Sequence, residues 1–380
     1  MKILNVNHIL EPVNGGGTAE RTIQVSRCLS DAGVRCSVLT TDIGITKVHL
    51  DKRLNGIDVI AVKCLSRRYY VPLASPRMIE NIVSHVDIVH LMGHWTLLNA
   101  MVYAAANRLR KPYVICPAGA LYIYGRSRRL KAFYNRIIGD RLVGNANGYV
   151  AITKKEIAQF QLYGVRPESV TVIPNGIDHE NFQWKDDSGF RDKYGLGEKP
   201  FILYVGRLNH IKGPDMLLHA FISLATSMPQ YQLVYAGPDG GMLSFLKHAV
   251  EASSLGGRVH FIGFIEGIVK SWAYNAAELL VIPSRQEAMS IVALEAGICA
   301  IPVLLTDQCG FDEVSTVGGG KVVPASVEGL KSGLVELLGN RAGLREMGKH
   351  LQTYVSKHLT WDSAANRYLQ LYREILKMNS

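Results

Sequence analysis

Two glutamates, eight positions apart, are the first residues in this chain that suggest chemistry. Glu287 and Glu295 lie in SRQEAMSIVALEAG, residues 284–297, between the apolar runs AELLVIP and IPVLLT. Two carboxylates suggest the acid/base pair of a glycoside hydrolase, whose carboxyl groups stand about 5 to 9.5 Å apart. Eight residues of helix rise about 12 Å and turn the second side chain away from the first. The spacing therefore argues against a hydrolase pair, and each glutamate needs a role of its own.

Two cations form a second candidate group, in YVGRLNHIKGPD at residues 204–215. Arg207 and Lys212 follow a predicted buried strand and precede a helix, in which Pro214 suits the first position. A cleft-facing pair of this kind suits a diphosphate, because arginine forks onto two oxygens and lysine acts as a point charge. The structural alternative is that two surface cations simply flank a loop.

The segment that follows Glu287 predicts a second phosphate-binding feature. EAMS is expected at the start of a helix, whose positive end attracts anions. Glu287 would then lie at the mouth, where it can accept hydrogen bonds from sugar hydroxyls, with Glu295 two turns on and within reach of a ribose. The alternatives are an acid that complements the helix dipole and a surface helical residue, respectively. The backbone amides expected to point at the phosphate are those of Ala288, Met289, Ser290 and Ile291.

The glycine-rich stretch EPVNGGGTAE, residues 11–20, follows the first predicted strand. A dinucleotide fingerprint needs G-x-G-x-x-G, but Glu20 stands where the third glycine would be. This departure argues against a dehydrogenase. What remains is a strand-to-helix turn whose amides, around Gly16 and Gly17, can approach an anionic or hydroxylated ligand.

Length and composition bound the class of protein. The 380 residues predict two domains of ordinary size. The opening MKILNVNHIL is typical of a buried strand and not of a signal peptide, and no stretch approaches the roughly 20 apolar residues of a membrane span. The six cysteines show neither C-x-x-C nor metal spacing, which predicts reduced thiols in a cytoplasmic protein.

Positive charge is concentrated in one segment. The chain has a net charge of +10, and residues 108–141 hold nine cations against one acid, Asp140. So one-sided a segment favours an anionic partner such as a phosphorylated substrate, a membrane surface or a nucleic acid. The cations are Arg108, Arg110, Lys111, Arg126, Arg128, Arg129, Lys131, Arg136 and Arg141.

Predicted strands and helices alternate along the whole chain, with near-continuous apolar strands. This pattern predicts parallel sheets with helices on both faces. We expect an α/β fold of two doubly wound, Rossmann-like domains whose ligand-binding edges face one another across a cleft. The predicted division is 1–182, a polar linker at 183–200, and 201–360, with a last helix at about 361–380 that packs back on the first domain.

These blocks together carry a family resemblance. GRLNHIKG at 206–213, with PSRQEAMSIVALEAGICAIPVLLTD at 283–307, closely resembles the retaining glycosyltransferases of family four, which have the two-domain GT-B fold. Their signature is G-R-x-x-x-x-K-G, then P-S-x-x-E, with a second glutamate eight positions later. The resemblance extends to the glycine-rich block at 15–41 and to VIPNGID at 172–178, so it spans nearly the whole chain.

The resemblance implies roles for these residues. Arg207 and Lys212 would hold the diphosphate of a nucleotide-sugar donor, UDP or GDP type, and Glu295 its ribose hydroxyls. Glu287 would contact the donor sugar near its reacting carbon, so that Glu287, Arg207 and Lys212 carry catalysis. The two glutamates would thus hold two ends of one ligand.

The resemblance also implies a division of labour. The first domain would bind a glycan or lipid-linked acceptor, with Gly16 and Gly17 approaching the acceptor or the phosphate, and the second would bind the donor. No metal or other cofactor is expected. The basic first domain fits an acceptor at a membrane, so we expect a cytoplasmic protein with peripheral contact to the anionic inner face of the plasma membrane.

The chain departs from the family in its first domain. HLMGHWTLLN and PYVICPAGAL resemble segments in which relatives carry H-x-H-G-x-W and S-P-H-G or S-P-R-G. Met92 stands where the second histidine would be, and Ala118 where the later histidine or arginine would face the donor sugar. His94 could replace that group, or it could be a packed structural residue beside Trp95, and both interpretations stay open.

Two other functions compete with the transferase. A non-catalytic protein that binds sugar nucleotides could share the fold, and Ala118 keeps this alternative open. A nucleic-acid-binding protein would interleave aromatic residues with its cations. The basic segment does contain Tyr122, Tyr124, Phe133 and Tyr134, but the donor signature does not follow from nucleic-acid binding, so no nucleic acid is expected.

Overall fold

The computed structural model describes residues 1–45, 53–54, 56–123 and 127–378, and at 12–14 the backbone alone. The chain forms two compact units: Met1–Gly176 with Trp361–Ser380, and Ile177–Thr360. Each unit contains one large parallel β-sheet whose strands alternate with helices along the chain. The predicted fold class, two Rossmann-like α/β domains, is confirmed.

The first unit is built on a seven-stranded parallel sheet. Its strands are β1 (Lys2–Val6), β2 (Arg35–Thr41), β3 (Asp58–Val62), β6 (Ile88–Met92), β7 (Tyr113–Cys116), β8 (Gly148–Ala151) and β9 (Val170–Val172), and β4 (Cys64–Ser66) pairs with β5 (Val71–Pro72) apart from it. The strand order is β3-β2-β1-β6-β7-β8-β9. Every residue of the central strand β6 is buried, as expected for a parallel strand with helices on both faces.

Helices connect these strands and cover the sheet. They are α1 (Pro12–Asp31), α2 (Pro76–Ser84), α3 (Leu97–Arg108), α4 (Arg128–Tyr134), α5 (Asp140–Gly144) and α6 (Ile157–Gln161), with a π-helix at Asn135–Gly139 between α4 and α5. Thr96 caps α3 by accepting a hydrogen bond from the Asn99 amide, and Ser75 caps α2 in the same way through Met78.

The second unit is built on a six-stranded parallel sheet. Its strands are β10 (Phe201–Val205), β11 (Gln232–Ala236), β12 (Val259–Gly263), β13 (Leu279–Ile282), β14 (Val303–Thr306) and β15 (Gly320–Val323). They lie in the order β12-β11-β10-β13-β14-β15. The helices are α7 (Asp187–Tyr194), α8 (Pro214–Leu224), α9 (Leu243–Ala252), α10 (Gly267–Ala276), α11 (Ile291–Ile298), α12 (Glu313–Thr316), α13 (Val327–Gly339) and α14 (Arg341–His358).

The last helix, α15 (Trp361–Met378), returns to the first unit and packs against α1. A buried arginine on α1 anchors it there. Arg21 donates to the Tyr368 hydroxyl at 2.8 Å, to Asn175 Oδ1 at 2.8 Å and to the Ile173 carbonyl at 2.6 Å. A buried guanidinium is tolerated only when its donors find acceptors, and these three partners supply them.

The predicted linker at 183–200 is wrong, because this stretch belongs to the second unit and contains α7. The Asp186 carboxylate caps the helix by accepting from the Gly189 amide at 2.8 Å. Phe190 is wholly buried and packs against Phe201 of β10. The polar composition of the stretch concealed this aromatic anchor, and the boundary between the units falls earlier, after Gly176.

The glycine-rich stretch lies within helical structure and does not form the strand-to-helix turn that the sequence predicts. Helical structure begins at Pro12, and Gly16 interrupts it with a φ of 56° and a ψ of −142°. A Cβ atom at Gly16 would meet nothing within 4 Å, and both Gly16 and Gly17 are exposed. The break in α1 therefore leaves exposed backbone at these two glycines, with Gly16 in a conformation that L side chains rarely adopt.

The basic segment, residues 108–141, runs from the end of α3 through the buried strand β7 to α4, the π-helix and the start of α5, while Tyr124 and Arg126 lie outside the described residues. Leu130, Phe133 and Ile137 are 52%, 60% and 54% exposed. Leu121 and Tyr134, in the same segment, face inward instead. Leu121 is buried, and the Tyr134 hydroxyl donates to the His94 carbonyl at 3.0 Å. A search of the described helices finds none long and apolar enough to cross a membrane.

Candidate active site

Two loops that carry predicted site residues start from neighbouring strands of the second sheet. Strands β10 and β13 are parallel neighbours, with Ile202 paired to Leu279. Since the carboxyl ends of parallel strands lie at one edge of the sheet, the loops at 206–213 and 283–290 emerge side by side. The fold thus brings the cation loop and the first glutamate together.

A glycine lets these two loops approach closely. Gly213 has a φ of +67°, and a Cβ atom there would stand 2.0 Å from the Pro283 carbonyl oxygen. The loop is also fixed from within, because the Asn209 side chain accepts a hydrogen bond from the Lys212 amide at 2.9 Å. This hydrogen bond therefore fixes the backbone from which the Lys212 side chain extends.

The predicted diphosphate lysine and the predicted sugar-binding glutamate form an ion pair. Lys212 Nζ lies 2.8 Å from Glu287 Oε1, and their side chains are 32% and 12% exposed. The Ser284 hydroxyl donates to Glu287 Oε2 at 3.1 Å. Both carboxylate oxygens are thus held, so Glu287 does more than complement the dipole of a nearby helix.

Sequence reasoning missed a second ion pair that braces the same loops. Arg285 donates to both carboxylate oxygens of Asp215, at 2.8 and 2.6 Å, and also to the His210 carbonyl. Burial alone would raise the pKa of Asp215, but the hydrogen bonds and charge of Arg285 outweigh it and hold that pKa below its ordinary value. The signal in the sequence was Asp215 in the first turn of α8, three positions after Lys212.

Arg207 lies in the same loop as Lys212 and its side chain is exposed. Its carbonyl accepts a hydrogen bond from the Tyr204 hydroxyl at 2.9 Å. A Cβ atom at Gly240 would stand 2.8 Å from Arg207 Cγ, so the aliphatic part of the arginine lies against that glycine. Arg207 therefore lies at the edge of the sheet where the sequence predicts a cation.

The predicted set of four helix-start amides needs correction. Helix α11 begins at Ile291 with Ser290 as its N-cap, so Ala288 and Met289 precede the helix. The Ser290 amide already donates to the Cys309 carbonyl at 3.2 Å. Its hydroxyl is buried and finds no hydrogen-bond partner among the described residues. Ser290 therefore contributes no amide to an anion, and the helix itself offers amides only from Ile291 onward.

Glu295 is buried, which excludes the interpretation as a surface helical residue. It is 8% exposed. Lys270 Nζ lies 2.6 Å from its Oε1, and the Tyr274 hydroxyl donates to its Oε2 at 2.6 Å. Both partners lie on α10, and neither was singled out from the sequence.

The structure favours packing for His94. The ring is 1% exposed and stands edge-on to Trp95, Tyr134 and Tyr163. Its Nε2 lies 2.9 Å from Asn135 Oδ1, and burial lowers its pKa to about 4. A neutral buried ring of this kind is a poor replacement for the side chain that Ala118 lacks.

The two Rossmann-like units have the GT-B fold of solved structures. Residues 186–358 match the glycosyl transferases group 1, and residues 15–181 match Glycosyltransferase Family 4. Together these matches cover most of the chain. The chain belongs to the group 1 and family 4 glycosyltransferases.

Three similar proteins illustrate the relationship. An uncharacterized glycosyltransferase of Methanocaldococcus jannaschii is 25% identical, covering 100% of this chain and 99% of that protein. A D-inositol 3-phosphate glycosyltransferase of Segniliparus rotundus is 28% identical over 64% of this chain, but the match spans only 56% of that protein. The crystal structure of Anabaena HepE in complex with UDP-glucose has a TM-score of 0.80 at 20% identity, covering 98% of this chain and 100% of that one.

Proposed function

We propose that this glycosyltransferase moves a sugar from a nucleoside diphosphate sugar, of UDP or GDP type, to a glycan or lipid-linked acceptor with retention of configuration. The observation that carries the proposal is the Lys212–Glu287 ion pair at the sheet edge, with Arg207 in the same loop. A cation for a diphosphate and a carboxylate for sugar hydroxyls meet at one place. A UDP-glucose complex of a protein with this fold supports a uridine donor.

In this proposal the protein stabilises the leaving diphosphate. The bond between the anomeric carbon and the diphosphate oxygen breaks with its electron pair going to the diphosphate, where Arg207 and Lys212 meet the developing charge. The acceptor oxygen bonds to the same face of the carbon, and its proton passes to the departing diphosphate. Cations and backbone amides take the part that a divalent metal has in other transferases, so the reaction is metal-independent.

The acceptor and its location belong to the same proposal. Leu130, Phe133 and Ile137 are exposed on a segment rich in arginine and lysine. Such a surface suits an anionic membrane, because each cation near an anionic leaflet contributes about 1 kcal/mol of binding. We therefore place the protein at the cytoplasmic face of a membrane, where it would act on lipid-linked glycans in the synthesis of cell-surface polysaccharide or glycolipid.

A donor screen tests the core of the proposal. Thermal denaturation in the presence of UDP-, GDP- and ADP-sugars should show stabilisation by one base class, since a ligand that binds only the folded protein raises its stability. The stabilising donor is then incubated with the enzyme after extensive chelation of metals, with and without oligosaccharide or lipid-linked acceptors. No stabilisation by any donor, or turnover that depends on added metal, would contradict the proposal.

A further inference from the structure

The carboxylate of Glu295 is held on both oxygens by donors from one neighbouring helix. Lys270 Nζ lies 2.6 Å from Oε1, and the Tyr274 hydroxyl lies 2.6 Å from Oε2. The two donors are four positions apart on α10 and so share one face of that helix. The side chain of Glu295 is 10% exposed. Its conformation is therefore determined by α10 more than by solvent.

Packing fixes Tyr274 independently of Glu295. The tyrosine is wholly buried, and its ring stands edge-on to Phe182 with centroids 6.0 Å apart. The same helix is tied down by Ser271, whose hydroxyl donates to the Trp184 carbonyl at 2.7 Å. Burial and the adjacent charge of Glu295 raise the pKa of Tyr274 well above its ordinary value. The hydroxyl therefore keeps its proton and serves Glu295 as a donor.

A carboxylate so held still has unused hydrogen-bond acceptor capacity. An ionised carboxylate offers about four acceptor sites, and Lys270 and Tyr274 occupy one on each oxygen. The sites that remain, one on each oxygen, suit two adjacent hydroxyls such as those of a ribose. If the carboxylate turned about its last bond, the two hydroxyls would no longer find both oxygens.

We propose that Tyr274 and Lys270 are positioning residues, which hold the Glu295 carboxylate in the rotation that receives the 2′- and 3′-hydroxyls of the donor ribose. This inference rests on the proposed function and on the ribose role that the family resemblance implies for Glu295. Lys270 balances the charge of the carboxylate, and Tyr274 sets its orientation. Neither needs to touch the nucleotide, so their contribution should shrink when the ribose lacks one of its two hydroxyls.

Calorimetric titration with paired nucleotides tests the proposal. UDP and 2′-deoxy-UDP, and likewise GDP and 2′-deoxy-GDP, are titrated into the wild type, Tyr274→Phe and Tyr113→Phe. Tyr113 is a matched control, a buried tyrosine of the first unit whose hydroxyl donates to the Leu142 carbonyl at 2.8 Å. We expect the wild type to prefer the ribonucleotide at least about tenfold, since a hydrogen bond to a charged group is lost in the deoxy form.

For Tyr274→Phe we expect affinity for the ribonucleotide to fall about tenfold, and affinity for the deoxynucleotide, which keeps one of the two hydroxyls, to fall only about threefold. The control variant, Tyr113→Phe, should change neither of the two affinities. An equal loss of affinity for both nucleotides would show that Tyr274 has only a structural role, and would overturn the inference. If Tyr274→Phe does not fold, Lys270→Gln, on the more exposed partner, provides the same comparison with the same two outcomes.

The experiment also separates this inference from the proposed function. If Glu295→Ala leaves ribonucleotide affinity unchanged, the ribose role of Glu295 is wrong and the positioning role falls with it. If Glu295→Ala weakens only the ribonucleotide while Tyr274→Phe and Lys270→Gln leave its affinity unchanged, the proposed function stands and the positioning role is wrong.

Discussion

Lys212 Nζ lies 2.8 Å from Glu287 Oε1, although the two residues lie in loops that follow different strands of the second sheet, β10 and β13. The pair is half-buried, and Ser284 donates to the other oxygen of the carboxylate. Removing one member of such a pair leaves the other charge without its partner. Substitutions at either residue should therefore be interpreted together with their effect on the other.

The first prediction concerns the two cations. Lys212→Ala and Arg207→Ala should each abolish most sugar transfer, because a lost charge-assisted contact to the diphosphate costs on the order of 1.5 to 3 kcal/mol. That corresponds to a fall in kcat/KM of roughly 10- to 150-fold. Initial rates and thermal denaturation are measured together, with the exposed Lys247→Ala as the control for charge. Near wild-type turnover in both variants would show that neither Lys212 nor Arg207 is needed to bind the diphosphate.

The second prediction separates the two glutamates. Glu295→Ala should weaken binding of the free nucleoside diphosphate, whereas Glu287→Ala should not weaken it, because Lys212 stays available to the diphosphate, and should instead impair use of the intact sugar donor. The reason is that one carboxylate is assigned to the ribose and the other to the sugar. Calorimetric titration of each variant with nucleotide and with donor decides the matter. Equal losses of nucleotide affinity in both variants would show that this division of roles is wrong.

The alternation of elements predicted the fold class, and the family resemblance assigned Arg207, Lys212 and Glu287 to one donor site. The sequence could not predict which side chains pair. The bidentate contact of Arg285 with Asp215 joins residues 70 positions apart. The contact of Tyr274 with Glu295 depends on how two helices pack. The linker at 183–200 was mistaken because one buried phenylalanine, Phe190, outweighed the polar residues around it.

The third prediction uses the close approach of the two site loops. Gly213→Ala should destabilise the second unit by about 2 kcal/mol or more, because the new Cβ would stand 2.0 Å from the Pro283 carbonyl at a φ that is itself unfavourable for alanine. Activity should fall with stability, since the loops carry Lys212 and Glu287. Gly256→Ala, where a Cβ meets nothing within 4 Å, is the control. Chemical denaturation of both variants gives the comparison, and equal stabilities would contradict the predicted strain.

The fourth prediction concerns stability in acid. Burial lowers the pKa of His94 from 6.5 to about 4, so the unfolded chain binds more protons than the folded one between these pH values. Stability therefore rises with pH across this window, and the contribution lost on acidification is about 3 kcal/mol. His94→Gln, which keeps a donor for Asn135, should make the dependence of Tm on pH between 6.5 and 4 less steep, while His8 and His90, whose pKa values burial also lowers, keep part of it. An unchanged slope would show that His94 is not the group responsible.

The last prediction concerns the basic segment, from Arg108 to Arg141. Leu130 and Phe133 are both more than half exposed and lie three positions apart on α4, among arginines and a lysine. An anionic leaflet would attract the cations and receive the apolar side chains. The attraction should weaken with salt, because the Debye length falls from about 10 Å at 0.1 M to about 3 Å at 1 M.

Cosedimentation with vesicles tests this surface directly. The protein should bind vesicles that contain anionic lipid at low salt, bind them less at high salt, and bind neutral vesicles weakly. Leu130→Ser with Phe133→Ser should reduce the binding, because the apolar anchors are lost while the charge is kept. Phe245→Ser, at a phenylalanine 51% exposed on the second unit, should not. Equal partition onto neutral and anionic vesicles, or none onto either, would refute the membrane surface and leave the donor site untouched, since Lys212, Glu287 and Glu295 all belong to the other unit.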